Sequence, residues 1–265
     1  ANAGPPTASV CGTAFTLAAV PTDGTGTWTF PAQVISGNAS LYNAAISIAS
    51  FSEQNVTYKL YWQELNWTCT SKDSISIRFD HEIVHINAGE DVSLMSFDNA
   101  IQLHADPIQS YEKGKWSIPA GSGAFDDDES IEPWVTGATL GTNTFKWTVE
   151  NGVCVEEDLV TYMISDPVIP ELISPNSDTY NDELTISGLN FETQKVELTI
   201  LNGAGSLIFS TSNVNSNDDW KNWDGTNSKG EDLPEGTYYY LLKVSSGKVE
   251  GLVSRKSGFI ILKRK

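Results

Sequence analysis

His81-Glu82-Ile83-Val84-His85 fits H-E-x-x-H. On a helix that spacing puts two imidazoles on one face around a zinc ion, with the glutamate as general base. Here the segment prolongs the alternating run Ile75-Ile77-Phe79, and Ile83-Val84 is β-branched. In an extended strand, residues four apart lie about 13 Å apart, too far to share one metal. No third ligand follows at a matching spacing. The segment reads as a linker between domains. The remaining histidine, His104, reads as a surface or internally satisfied residue. Three histidines leave a Ser-His-Asp site few bases, and no G-x-S-x-G elbow occurs. No glycine-rich loop joins a strand to a helix to cradle phosphate. The chain is expected not to be an enzyme.

Two acidic clusters are better metal candidates. One is Asp126-Asp127-Asp128-Glu129; the other is Asn176, Asp178, Asn181 and Asp182. Calcium takes roughly six to eight oxygens from such a loop. Neither cluster has EF-hand spacing, and Asx residues also close loops through their own backbone. Calcium is the one candidate cofactor, at Asn176, Asp178, Asn181 and Asp182. Tryptophan can stack on sugars, and Trp134, Trp220 and Trp223 stand in loop-like contexts; Trp28, Trp62, Trp116 and Trp147 read as core.

The elements that carry these residues are strands. Val56–Trp62, Ser74–Phe79 and Thr144–Val149 alternate apolar with polar and are rich in β-branched and aromatic types. Gly, Asn, Asp and Pro clusters separate them, and no helical period is sustained. The order repeats. Asn2-Ala3-Gly4 returns as Asn87-Ala88-Gly89, Trp62 and Cys69 return as Trp147 and Cys154, and Asp73 returns as Asp158, all offset by 85. Trp28 to Ala32 resembles Trp116 to Ala120, offset by 88, so the second copy carries small insertions. The fold class is all-β: three consecutive immunoglobulin-like sandwiches, with boundaries at 1–85, 86–168 and 169–265.

In this alignment Cys11 falls opposite Phe97. A Cys11–Cys69 disulfide inside the first copy is therefore expected, with Cys154 a lone buried thiol; three unlinked buried thiols is the competing reading. A bridge implies an oxidising compartment. The 265 residues hold 16 basic and 34 acidic groups, net −18, which disfavours nucleic acid and anionic lipid. Residues 1–169 hold 6 basic and 21 acidic groups, net −15. The last fifteen residues carry Arg255, Lys256, Lys263, Arg264 and Lys265 and no acid, a basic tip that reads as an address label or a solvated terminus. No transmembrane segment and no signal peptide is read from the sequence.

In the third segment, Ser174-Pro175-Asn176-Ser177-Asp178 runs on to Asn181-Asp182. It is followed by Val196–Gly205, by Trp223-Asp224-Gly225-Thr226, by Leu233-Pro234-Glu235-Gly236-Thr237-Tyr238, and by a closing Phe259–Leu262. This order resembles the gliding-motility-associated C-terminal domain of Bacteroidetes surface proteins, the type B sorting domain of the type IX secretion system. The upstream copies resemble the immunoglobulin-like or PKD-like repeats that precede this domain in SprB-type gliding adhesins. The motif falls on Pro175, Asn176, Asp178, Asn181, Asp182, Trp223, Asp224, Gly225, Leu233, Pro234, Gly236, Thr237 and Tyr238. Ser177 and Thr179 stand where the family often has glycine.

The resemblance implies a secreted protein on the outer-membrane exterior. Its last domain would be read by the type IX translocon and shuttle proteins as a folded sandwich with strand edges and a basic tip. The upstream repeats would be spacers in an adhesin, with a surface glycan or other substratum as a further partner. The same tail on a large secreted hydrolase, or repeats that bind glycan, are the alternatives. Asp73-Ser74-Ile75 also fits the short Asp-Ser-aliphatic O-glycosylation pattern of that phylum.

Overall fold

The computed structural model describes residues 1–22, 24–51, 55–95, 97 and 100–264. It is all-β, and no α-helix occurs among the described residues. The first copy contains β1 (Thr7–Cys11), β2 (Ala14–Thr16), β3 (Thr25–Thr29), β4 (Val34–Ser36), β5 (Ala45–Ile48), β6 (Asn55–Asn66) and β7 (Cys69–Asp80). They form one sheet in the order β1-β7-β6-β3 and a facing sheet in the order β2-β5-β4. The second copy contains β8 (Val92–Met95), β9 (Ile101–Gln102), β10 (Lys113–Ala120), β11 (Ala124–Phe125), β12 (Trp134–Thr136), β13 (Gly141–Asn151) and β14 (Cys154–Ser165). Its sheets, β10-β13-β14-β8 and β11-β12-β9, reproduce the same topology strand for strand. In each copy the first strand runs parallel to the last.

The repeated residues are those that close this fold. Asp73 Oδ2 accepts the Ala3 N–H at 2.8 Å, and Asp158 Oδ2 accepts the Ala88 N–H at 2.8 Å. Asn2 and Asn87 each cap the glycine two residues on. Those glycines, Gly4 and Gly89, have φ near +90° and lie against a backbone carbonyl, where a Cβ would come within 2.7 Å. Trp28 and Trp62 pack with ring centres 5.2 Å apart, and Trp116 and Trp147 do so at 5.0 Å. Around each pair the alternate residues of the long hairpin are buried: Leu60, Ile75, Ile77 and Phe79 in the first copy, Phe145, Val149, Val160 and Ile164 in the second. Each contributes about 1.5–3 kcal/mol of burial. Asp73 is thus a structural acceptor, and Ser74 lies within strand β7.

The third unit contains β15 (Leu172–Ile173), β16 (Gln194–Leu201), β17 (Leu207–Ser212), β18 (Gly236–Ser246) and β19 (Val253–Leu262), in one sheet of order β15-β19-β18-β16-β17. Its inner face buries Val196, Leu198, Ile200, Leu242, Val244, Ile260 and Leu262. The covering layer is mostly irregular and supplies Leu184, Ile186 and Trp223. Buried apolar residues thus gather in three clusters along the chain.

The disulfide corrects the sequence expectation. Cys11 bonds Cys154, with their Cα atoms 5.0 Å apart, and Cys69 is an exposed free thiol. The ladder gives the reason. Cys11 lies opposite Asp80 at the end of β7, whereas Cys69 begins that strand. Eleven residues of strand separate the two by about 35 Å, and a disulfide needs Cα atoms within about 7 Å. The same ladders set Met95, not Phe97, in the place of Cys11: Met95 faces Ser165 as Cys11 faces Asp80. Phe97 is buried in the third core.

The bridge belongs to a polar junction between the copies. The β13–β14 hairpin tip reaches the end of β1 and β7. Asp80, 1% exposed, accepts the Val153 N–H at 2.8 Å. Asn55 donates to Asn151 at 3.0 Å, and Asn151 donates to the His81 carbonyl at 2.8 Å. Residues 81–91 have no regular structure, so the strand ends at Asp80 and the H-E-x-x-H segment is neither helix nor strand. The His81 ring packs beside Phe51 and Tyr111, at 4.7 and 5.6 Å.

Candidate functional site

The motif residues of the third unit fall into two loop clusters. In the first, residues 174–182 wrap round the Asp182 carboxylate. Its Oδ1 accepts the Asn176 and Ser177 N–H groups and its Oδ2 the Thr179 N–H, each at 2.9 Å. These backbone bonds, led by that from Asn176, hold the carboxyl below its ordinary range. Asp178 accepts the Tyr180 N–H at 2.8 Å and the Asn176 side-chain amide at 2.9 Å. Ser177, Thr179 and Asn181 have φ of 66°, 74° and 56°. The turn therefore has the left-handed backbone that glycine favours, although Ser and Thr occupy it.

N–H groups that converge on a carboxylate form an anion nest, which here is filled by the Asp182 carboxylate of the loop itself. The Asn176, Asp178 and Asp182 side-chain oxygens each accept hydrogen bonds from the loop itself. Among the described residues no group of three or more His, Cys, Asp or Glu is placed to hold a metal. At the other acidic cluster, Asp126 accepts the Asp127 and Trp134 N–H groups, and Asp128 pairs with Lys115 at 3.1 Å.

The second cluster joins Trp223-Asp224-Gly225 to Leu233–Tyr238. Trp223 is fully buried, lies edge-on to Tyr238 at 5.3 Å, and donates its indole N–H to the Thr226 carbonyl at 2.9 Å. Asp224 accepts the Thr226 N–H and hydroxyl at 3.0 and 2.7 Å, an Asx turn. Gly225 has φ +79°, and a Cβ there would meet Leu262 at 2.7 Å. Its carbonyl accepts the Leu233 N–H at 3.1 Å, and the Tyr238 hydroxyl donates to the Pro234 carbonyl at 2.9 Å. Gly236 and Thr237 open β18, opposite Leu262 and Ile261 of β19.

Arg264 locks the two halves of this cluster together. It donates to the Leu233 carbonyl at 2.9 Å and to the Gly225 carbonyl at 2.8 Å, and pairs with Asp232 at 3.0 Å. Its own N–H bonds Glu235 at 2.8 Å. The Lys263 N–H bonds the Ile173 carbonyl, and Lys256 pairs with Asp166 at 3.1 Å. The expected basic tip is therefore stitched into the fold through Arg264; Lys265 lies outside the described residues. The outer edge strand is also covered in part, because Ser228 donates its N–H and hydroxyl to the Ile208 carbonyl of β17 at 3.1 and 3.0 Å.

The sequence reading missed Arg264 as a latch, and it missed Trp67. Trp67 is 95% exposed at the tip of the β6–β7 hairpin, while Trp220 packs on Phe191 at 5.2 Å. A comparison of the two copies at offset 85 carried the signal, since Gly152 stands where Trp67 does.

Residues 168–262 match the family described as CHU_C Type IX secretion signal domain. The third unit is thus the part of the chain that is similar to a type IX secretion signal domain. No curated protein matches the chain. Among solved structures, the chain is similar to the PKD domain of human KIAA0319 at 18% identity, covering 31% of this chain and 80% of that one, with a TM-score of 0.27. It is similar to the I9–I11 tandem of titin at 11% identity, covering 97% and 95%, with a TM-score of 0.33. A third, the human desmocollin-1 ectodomain, aligns at 9% identity over 99% of this chain with a TM-score of 0.27; the chain spans 61% of its length. The immunoglobulin-like assignment rests on the sheet orders given above. No helix among the described residues is long and apolar enough to cross a membrane.

Proposed function

We propose that this chain is the tail of a secreted adhesin on the outer-membrane exterior. Residues 169–265 form the module read by the type IX translocon and its shuttle proteins, and the copies at 1–85 and 86–168 are spacers that carry no active site. The match of residues 168–262 to a type IX secretion signal carries this reading. The clamped first junction supports the spacer role, because a disulfide and four buried or half-buried polar groups (Asn55, Asp80, His81 and Asn151) hold two repeats end to end.

The recognised surface is the exposed rim of the second cluster, Asp224, Pro234, Gly236 and Thr237, held in shape by the buried Trp223, Gly225 and Tyr238 beneath it, with the nest around Asp182 as a second element. The test places the full chain behind an export signal in a type IX-competent bacterium. Surface protease should reach it on intact cells. A chain truncated after residue 167 should remain in the periplasm; its appearance at the surface overturns the reading.

A further inference from the structure

We propose that the tip of the β6–β7 hairpin is the receiving half of a second inter-repeat junction. Its occupant is another immunoglobulin-like repeat, N-terminal in a longer chain. That repeat carries a cysteine where Cys11 stands here and a small residue where Asp80 stands. The inference is independent of the sorting role of the third unit.

The two copies show both states of one device. Asn66 pairs with Cys69 across a two-residue loop, and Asn151 pairs with Cys154 across another. In the second copy the tip is docked: Cys154 is 2% exposed and bridged to Cys11, and Val153 donates to Asp80. In the first copy the equivalent Cys69 is an exposed free thiol. Two of the three cysteines are oxidised, so the exposed third lacks a partner of the kind its counterpart has.

Trp67 is an independent observation at the same tip. Its side chain is 95% exposed, and its φ of 55° is an outlier for a bulky residue. Leu65 beside it is also exposed. A large apolar side chain held out in a strained backbone is what a contact would bury. Its counterpart Gly152, φ 62°, lies so close to Asp80 that any Cβ would overlap the carboxylate. An indole at this place therefore excludes an acid opposite, which sets the small residue in the occupant.

The chain path delivers such a repeat. The Ala1 amino group lies 2.5 Å from the Ser71 hydroxyl and 3.7 Å from Glu64, beside this tip. By the offset of 85, Ile86 holds the place of Ala1 in the second copy, where the chain arrives from the first copy. A preceding module arrives at the tip at high effective concentration. In the bridging step two thiols lose two protons and two electrons and form one S–S bond. A disulfide oxidant, small-molecule or enzyme-borne, takes the electrons and leaves as two thiols.

The test joins a second copy of residues 1–85 ahead of the full chain and oxidises it in a glutathione buffer. In one version the added copy carries Asp80→Gly and the receiving tip keeps Trp67. In the other the added copy is native and the receiving tip carries Trp67→Gly, which recreates the observed junction. Non-reducing peptide maps should show a bridge from the added Cys11 to the receiving tip's Cys69 in both, with one of the two Cys69 thiols lost to alkylation while the added copy's own stays free. A native added copy facing native Trp67 should bridge less than either. Two Cys69 thiols that both stay alkylatable in both versions overturn the proposal, as does a Cys69–Cys69 dimer formed instead. The second version decides should Asp80→Gly unfold the added copy, since its added copy is unaltered.

Discussion

At the scale of single residues, the third unit is held by groups that each bond several loops. Arg264 joins Leu233, Gly225 and Asp232, and its side chain is three-quarters covered. Arg264→Gln removes a charged donor and leaves two carbonyls short of a partner. It should lower stability by about 2 kcal/mol, seen as a lower denaturation midpoint. An unchanged midpoint would show that the latch is not needed.

Asp182 makes a pH prediction. Its folded pKa is depressed, so its contribution is present above the ordinary carboxylate value of about 3.9 and is lost as pH falls through the lower folded value. Asp182→Asn should weaken the chain at pH 7, and the gap from wild type should close on the acid limb of a stability–pH curve. A gap that is constant down to the lowest pH would remove the carboxylate from the account.

At the scale of elements, the hairpins matter most. Strands β6, β7, β13 and β14 were legible because alternation over many residues leaves one buried face. Their ends were not, and the cysteine pairing depended on the ends. Cys11 was matched to Cys69 because both lie in one copy, yet the parallel β1–β7 register puts them at opposite ends of the sheet. A parallel pairing is a long-range choice, and no local pattern encodes its offset.

Gly152 marks the consequence. Gly152→Val adds a Cβ against Asp80 at positive φ and should open the junction. Peptide mapping should then show Cys154 alkylatable in a fraction of the chains, while the Trp116–Trp147 core keeps its near-ultraviolet dichroism. A fully retained Cys11–Cys154 bridge would mean the tip absorbs the side chain.

At the scale of the molecule, three apolar clusters are joined by two unlike junctions. The first is polar and bridged. The second has no bridge among the described residues; it buries Phe97 in the third core, sets Met95 against Gly188, and adds the Lys256–Asp166 pair. Cys154→Ser should leave all three cores folded but loosen the first junction. X-ray scattering should then show a broader distribution of interatomic distances. An unchanged profile would assign the rigidity to the Asn55, Asn151 and Asp80 contacts alone.

The sequence by itself determined the all-β class, the duplication, the Trp pairs as core, and the motif of the third unit. All of these rest on period-two burial or on residues close in the chain, which local chemistry specifies. The tertiary structure alone decided that Cys11 meets Cys154, that Arg264 is bound into the fold, and that Asp182 gathers backbone N–H groups. Those outcomes depend on which strand ends and loop carbonyls meet in space, and that is fixed by long-range register rather than by residue type.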